Sequence, residues 1–337
     1  MSFTLLGILN SQVTGGGYWI STLGGAGNER GKAVATDSLD NVYAFGFTDS
    51  TGAGNNDFLL AKYNSAGTVE WQRILGGASG DTGQAVAIDS ADNVYVFGFT
   101  TSTGAGSNDF LLAKYNSSGT LQWQRVLGGA SSERGYAVAI DSSNNIYVAG
   151  EVSSAGAGNN DFLLAKYNSS GTIQWQRVLG GASNERGQGV TVDSSDNVYA
   201  FGFTESTGAG NYDFLLAKYN SSGTIQWQRV LGGVSYDNGN SVAIDSSDNV
   251  CIIGETTSTG AGGNDFLLAK LPSNGSLTGT YVLDGVDIVY ATSTLTAGTS
   301  TLTAATSTLT AATSTLTAGT STLTAATSTL TEHFVAL

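Results

Sequence analysis

The chain repeats itself every 52 residues. The phrase DFLLAK begins at Asp57, Asp109, Asp161, Asp213 and Asp265, and tryptophans hold the same interval at Trp19, Trp71, Trp123, Trp175 and Trp227. A period of this length is too long for a coiled-coil heptad and too short for an independent domain. Each unit is therefore one supersecondary block that buries its apolar face against its neighbours.

Residues 175–223 show what the block contains. WQRVL at Trp175, the run from Gln188, VYAFGF and DFLLAKY are four apolar stretches rich in Val, Ile, Tyr and Phe, separated by Gly-, Asp-, Ser- and Asn-rich turns. Such runs predict four hairpin-linked antiparallel strands. A four-stranded unit repeated five times at this period predicts an all-β fold, a five-bladed β-propeller.

Composition agrees and excludes some functions. Only 12% of residues are charged and 47 are glycine, which suits tight turns rather than helices. A net charge of −14 repels phosphate backbones and anionic lipid, so nucleic acid is not an expected partner. No stretch is long enough for membrane insertion as a helix, and Phe3 to Leu9 has neither the preceding basic residues nor the cleavage site of a secretory signal.

GQAVAIDSADNVYVFG and DFLLAKYNSSG resemble the SBBP family of bacterial β-propeller repeats over about residues 18–285. The resemblance implies that AVAID is the innermost strand, NVYVFG the second, DFLLAK the third and the Trp strand the outermost. On that reading the strand around Trp19 completes the fifth blade and closes the ring. Residues 271–285 align with the same outer strand but lack its tryptophan, so Trp19 is the expected closing strand.

The expected domains are an apolar anchoring arm with a Gly hinge (1–17), the propeller (18–270), a connector (271–291) and a C-terminal stalk (292–337). The stalk repeats TSTLTA(A/G) and places Leu295, Leu302, Leu309, Leu316, Leu323 and Leu330 seven residues apart. Seven is odd, so a flat strand would alternate the leucines between faces, whereas a helix would align them. Thr is a poor helix former, and Gly298 and Gly319 each cost about 1 kcal/mol relative to Ala in a helix interior. A coiled coil and a Thr-rich β stalk both remain open. Either needs partner chains, because one Leu per heptad cannot build a core alone, and a homotrimer is the expected self-association.

MSFTLLGILN followed by Gly15–Gly17 resembles the opening of structural and tail-fibre proteins of marine and cyanobacterial tailed phages. That resemblance implies a virion protein assembled in the host cytoplasm, with Phe3, Leu5, Leu6, Ile8 and Leu9 docking on other virion proteins.

Catalysis finds few parts. The single histidine, His333, lies outside the repeats, so a Ser/His/Asp relay or a His-based metal site is not expected within the blades. Acids recur as near-identical rings: Asp37, Asp89, Asp141, Asp193 and Asp245, and Glu29, Asp81, Glu133, Glu185 and Asp237. Paired catalytic carboxylates need unlike environments, whereas Asp in a DSSDN turn accepts backbone N–H bonds. A non-enzymatic protein with no cofactor and no metal is the expectation.

Binding residues are better represented. The loops LGGASNERG and TESTGAGNYD should share one face, bringing together Asn28, Arg30, Arg134, Tyr136, Asn184, Arg186, Tyr212 and Tyr236. Tyrosines beside planar amides and guanidinium groups suit host glycans, through stacking and bidentate hydrogen bonds. The sequence thus predicts a propeller displayed on a virion as a fibre, spike or head decoration. A cellular lectin or adhesion module is the alternative, and a carbohydrate-active enzyme the weaker one.

Overall fold

The computed structural model describes residues 19–260, 263–283 and 286–298, with the backbone of 303–306, 310–312 and 317–320. Among these residues every named element is a β-strand. The arm (Phe3, Leu5, Leu6, Ile8, Leu9), and with it the expected docking plug, lies outside the described residues.

Strand β1 (Ser21–Gly24) precedes the repeats. The first unit holds β2 (Glu29–Thr36), β3 (Val42–Thr48), β4 (Asp57–Tyr63) and β5 (Val69–Gly76). The second holds β6 (Asp81–Ile88), β7 (Val94–Thr100), β8 (Asp109–Tyr115) and β9 (Leu121–Gly128). The third is β10 (Glu133–Ile140), β11 (Ile146–Val152), β12 (Asp161–Tyr167) and β13 (Ile173–Gly180). The fourth is β14 (Glu185–Val192), β15 (Val198–Thr204), β16 (Asp213–Tyr219) and β17 (Ile225–Gly232). The fifth has β18 (Asp237–Ile244), β19 (Val250–Thr256) and β20 (Asp265–Leu271), and stops there. Within each unit consecutive strands pair antiparallel, as in a β-propeller blade.

Units are joined face to face by aromatic and aliphatic side chains. Tyr43, Phe45, Phe58 and Leu60 of the first unit pack with Val94, Val96, Leu111 and Tyr115 of the second, all buried, and equivalent clusters fill the next three seams. Small residues let the sheets approach. A Cβ added at Gly83 would fall 2.5 Å from the Phe45 ring, and one at Gly239 2.6 Å from Phe201. Each seam is also stitched at the turns: Trp71 Nε1 donates to Ser117 O at 3.2 Å, and Ser38 Oγ to Asp92 Oδ2 at 2.8 Å.

The turns take the conformation that DSSDN predicts. Asp37 Oδ1 accepts from the backbone N–H groups of Leu39 and Asn41, and Asp37 Oδ2 from Asn41 Nδ2 and the Tyr43 hydroxyl. Asp40, Asp92, Asn144, Asp196 and Asp248 adopt φ near 60°, a left-handed conformation that Asn and Asp tolerate through local hydrogen bonding. Lys62, from the third strand, reaches Asp37 at 3.7 Å, and Lys114, Lys166, Lys218 and Lys270 repeat the pairing with Asp89, Asp141, Asp193 and Asp245. This ring of acids is committed to holding turns.

Two expectations are corrected. The ring is not closed by Trp19. Its indole stacks on Tyr63 at 5.3 Å and lies over Gly67, as Trp71 lies over Gly119 of the second unit, but β1 pairs with β26 (Thr317–Thr320) and not with β20. The spare segment does not close it either: β21 (Gly279–Leu283) forms a hairpin with β22 (Val286–Thr292), and β22 adds to β17 of the fourth unit. The first and fifth units therefore keep an uncovered face each, with Val34 68% and Phe266 77% exposed.

Nor does the Thr-rich tail project as a stalk over its described length. After β22, strands β23 (Thr296–Gly298), β24 (Thr303–Thr306) and β25 (Thr310–Ala312) pair with β13, β9 and β5 in turn. The register is regular: Ala291, Gly298, Ala305, Ala312 and Gly319 lie opposite Val230, Val178, Val126, Ile74 and Thr22. Each advance of seven residues along the tail retreats 52 in the repeats. The heptad is thus the step from one blade edge to the next, and its short strands avoid the helix penalty of Thr and Gly. Leu295 is buried between the third and fourth units, with Leu179 and Val230 in its cluster. Leu302, Leu309, Leu316, Leu323 and Leu330 lie outside the described residues.

Candidate functional site

Departures from the repeat locate the site. At the position before the end of each second strand the units carry Phe47, Phe99, Glu151, Phe203 and Glu255. Glu151 is the acid in the closed part of the arc, 4% exposed on β11. Burial of a lone carboxylate would be costly, and three groups converge to offset it. Arg186 Nε, from β14 of the next unit, reaches Oε2 at 2.6 Å, the Tyr136 hydroxyl donates to Oε1 at 2.9 Å, and Arg134 Nη1 stands 3.6 Å away.

Arg186 is the hub. Its guanidinium lies 5.4 Å from the centroids of both the Tyr136 and Phe203 rings, a cation–π sandwich across the third seam. Burial disfavours its charge, but the Glu151 carboxylate, Tyr136 and Tyr212 together more than offset that and hold the group above its ordinary range. Burial, followed by the charge of Glu151, likewise pushes the Tyr136 phenol up, so it remains a proton donor.

An aromatic wall continues from the hub. Phe203 lies 4.6 Å from Tyr212, and Tyr212 meets Tyr236 edge to face at 4.9 Å. The backbone places them: Asp237 N donates to Tyr212 O at 2.8 Å and Thr257 N to Tyr236 O at 2.7 Å, tying the loops of the fourth and fifth units together. Tyr212 and Tyr236 line a cavity of about 360 Å³ with Ser183, Glu205, Gly210 and Asn211. Asn184 Nδ2 donates to Glu205 Oε2 at 2.7 Å, and the hydrogen bond to Glu205, with burial, raises the Tyr212 phenol. The cavity thus presents two phenols, a hydroxyl, the Asn211 amide and a carboxylate beside an aromatic edge.

Of the residues expected from sequence, Arg134, Tyr136, Asn184, Arg186, Tyr212 and Tyr236 come together on this face. Asn28 and Arg30 do not. Asn28 Nδ2 donates to Asp49 at 2.9 Å on the first unit, and Arg30 lies 5.9 Å from the Phe47 ring, on the far side of the open arc. Sequence reasoning missed Glu151, Phe203 and Glu205. Glu151 was legible as a break in the Phe ring of the repeat.

A second group of acids is structural. Burial, reinforced by the Asp81 charge, raises Asp57 to about 6, and Asp161 and Asp213 reach about 6 for the same first cause. Each lies under its own Gly-rich loop, as where Ala53 N donates to Asp57 Oδ2 at 3.1 Å. Among the described residues no group of three or more His, Cys, Asp and Glu side chains is placed to hold a metal.

Comparison with known proteins supports the repeat type. The SBBP β-propeller repeat matches residues 70–104, and the DUF5122 β-propeller, a domain of unknown function, matches 142–173. An uncharacterized WD repeat-containing protein of Acanthamoeba polyphaga mimivirus is 22% identical over 64% of this chain, and the regulatory protein FlaEY of Caulobacter vibrioides 24% over 80%. The chain spans 16% and 31% of those two relatives. Among solved structures, the gluconolactonase XC5397 of Xanthomonas campestris is 10% identical with a TM-score of 0.40, covering 71% of this chain and 72% of its own. A Trichoderma reesei carbohydrate-active enzyme of family AA12 is 11% identical with a TM-score of 0.32, covering 75% and 96%.

The expectation of a non-enzymatic protein is corrected by these neighbours, which include named enzymes. Missing a histidine relay removes one mechanism and not catalysis as such. At these scores the likeness brings neither reaction nor substrate to this chain.

Proposed function

We propose that this β-propeller repeat protein binds a carbohydrate on the face built by its third to fifth units. The observation that carries the reading is the Tyr212–Tyr236 pair, edge to face at 4.9 Å over a cavity that also exposes Glu205 and Asn211. A sugar ring stacks its C–H face on an aromatic surface and exchanges hydrogen bonds with carboxylates and amides at its rim. The Glu151–Arg186 pair behind the wall fixes Phe203 and Tyr212, so the cavity is preorganised. The likeness of residues 1–17 to the openings of phage structural proteins supports display of this face on a virion.

Calorimetric titration of the full chain with a panel of neutral and acidic oligosaccharides tests the reading. Binding that falls tenfold or more in Tyr212→Ala and Tyr236→Ala, with unchanged thermal unfolding, is the expected result. Saccharide binding equal in wild type and both variants, or absent throughout, overturns it. Following the bound sugar for product over time separates retention from turnover.

A further inference from the structure

The two ends of the arc carry the two halves of a seam that the chain has already built four times. Among the described residues the fifth unit has three strands, and β1 with β26 forms a two-stranded sheet that packs on the first unit through Trp19 and Leu23 but pairs with no unit's strands. Together they have the five strands of each of the first three units with its tail strand. The side-chain faces match as well. A Cβ at Gly83, Gly135 or Gly239 would collide with a phenylalanine of the preceding unit, whereas at Gly31, the same position in the first unit, nothing among the described residues lies within 4 Å. The fifth unit meanwhile leaves Ile253, Phe266 and Leu268 at 37%, 77% and 64% exposure, at positions buried elsewhere.

Charge completes the match. Glu255 stands two repeats after Glu151, and Arg30 is the residue that would follow two repeats after Arg186 if the count continued from the fifth unit into a first one. The pair closed at 2.6 Å in the third seam is therefore present, unjoined, at the two ends. Similarly, Ser38, Ser90, Ser142 and Ser194 bond to Asp92, Asn144, Asp196 and Asp248, but among the described residues Ser246 makes no such bond to Asp40.

We propose that the fifth unit of one chain docks on the first unit of a second copy, with β1 of that copy pairing along β20 and Arg30 of that copy meeting Glu255. Within one chain these two faces stay unpaired, with Val34 and Phe266 exposed. A second copy requires none of the four seams to move and repeats their contacts. The interface is heterologous, one face at each end, so association is head to tail. Its apolar core and the net charge of −14 make it stronger as salt screens repulsion between copies.

Charge reversal in the full-length protein tests this by light scattering. Wild type should exceed 34.4 kDa in a concentration-dependent way. Glu255→Arg and Arg30→Glu each place like charges at the joint and should give monomers. Because both side chains are exposed, their thermal unfolding should match that of the wild-type monomer. Mixed in equal amounts, the fifth unit of each variant meets the first unit of the other with opposite charge, so both mixed joints form and the mixture should recover the concentration-dependent association of the wild type. A wild type that stays monomeric, single variants with wild-type mass, or a mixture that remains monomeric overturns the proposal. The last outcome combined with a restored wild-type profile in the double reversal would mean closure within one chain.

Discussion

Glu151 and Arg186 meet at 2.6 Å across the seam between the third and fourth units, where the first, second and fourth units carry phenylalanine in place of the glutamate. Glu151→Ala leaves Arg186 without its partner and should destabilise the chain by about 1–3 kcal/mol, at the lower end because the arginine is partly solvated. Glu151→Phe installs the residue of the first, second and fourth units but leaves Arg186 without its carboxylate partner. The double change Glu151→Phe with Arg186→Thr reproduces the pairing of Phe47 with Thr82 across the first seam and should recover most of the loss. Chemical denaturation of the four proteins as a double-mutant cycle measures the coupling.

The turn aspartates should differ in cost according to burial. Asp89 accepts from Ala91 N, Asn93 N and Nδ2, and the Tyr95 hydroxyl, all at 2.9–3.1 Å. Asp89→Ala strands these donors and should cost about 2–4 kcal/mol. Asp245, in the fifth unit, makes similar backbone bonds but is more exposed, with its side chain at 26% against 2% for Asp89. Asp245→Ala should lower the unfolding midpoint by much less, as differential scanning fluorimetry would show.

Stability should rise as the solution is acidified from neutral. Asp57, Asp161 and Asp213 titrate near 6 in the folded chain against 3.8 for the free side chain, so between these values the folded state binds more protons than the unfolded. Their penalty is fully present above pH 6 and is relieved as pH falls. Asp37, Asp89, Asp141 and Asp193 act oppositely. Burial disfavours their charge, but hydrogen bonds led by the Asn side chain hold them below 3.8, so their contribution is lost below that pH. Maximum stability is expected at roughly pH 4–5. Unfolding midpoints from pH 3 to 8 check the sign, and Asp57→Asn should flatten the limb above pH 5.

The tail should matter to the blades. Leu295→Ala should destabilise by about 2–4 kcal/mol through the cavity it leaves among Leu179 and Val230. Deleting residues 296–337 uncovers the edges of β13, β9 and β5, and exposed edges promote association. A lower unfolding midpoint with greater aggregation is expected from that truncation by scattering.

The repeating strands are legible in the sequence because each unit solves the same local problem. The apolar runs, the DSSDN turns and the placement of Asn184, Arg186, Tyr212 and Tyr236 on one face all follow from turn chemistry and strand period. What is not legible depends on distances between units. The Leu heptad reads as helical or stalk-forming because nothing in the tail encodes that the next blade edge is seven residues away. Trp19 reads as the closing strand through its likeness to Trp71. Its contact with Tyr63 agrees with that likeness, but β1 pairs with β26 and not with β20, which the likeness does not encode. Glu151 is legible only as a departure from the repeat, shared with Glu255, at a position where the other three units carry phenylalanine.

The register between tail and blades ties the two repeats in this gene product to each other. A duplication that adds one 52-residue unit changes the perimeter by one edge, and a tail of fixed length then falls one stop short. Loss of a unit leaves one heptad with no edge to occupy. Over the described tail each heptad answers to one edge, so a change in the number of units shifts which heptad meets which edge.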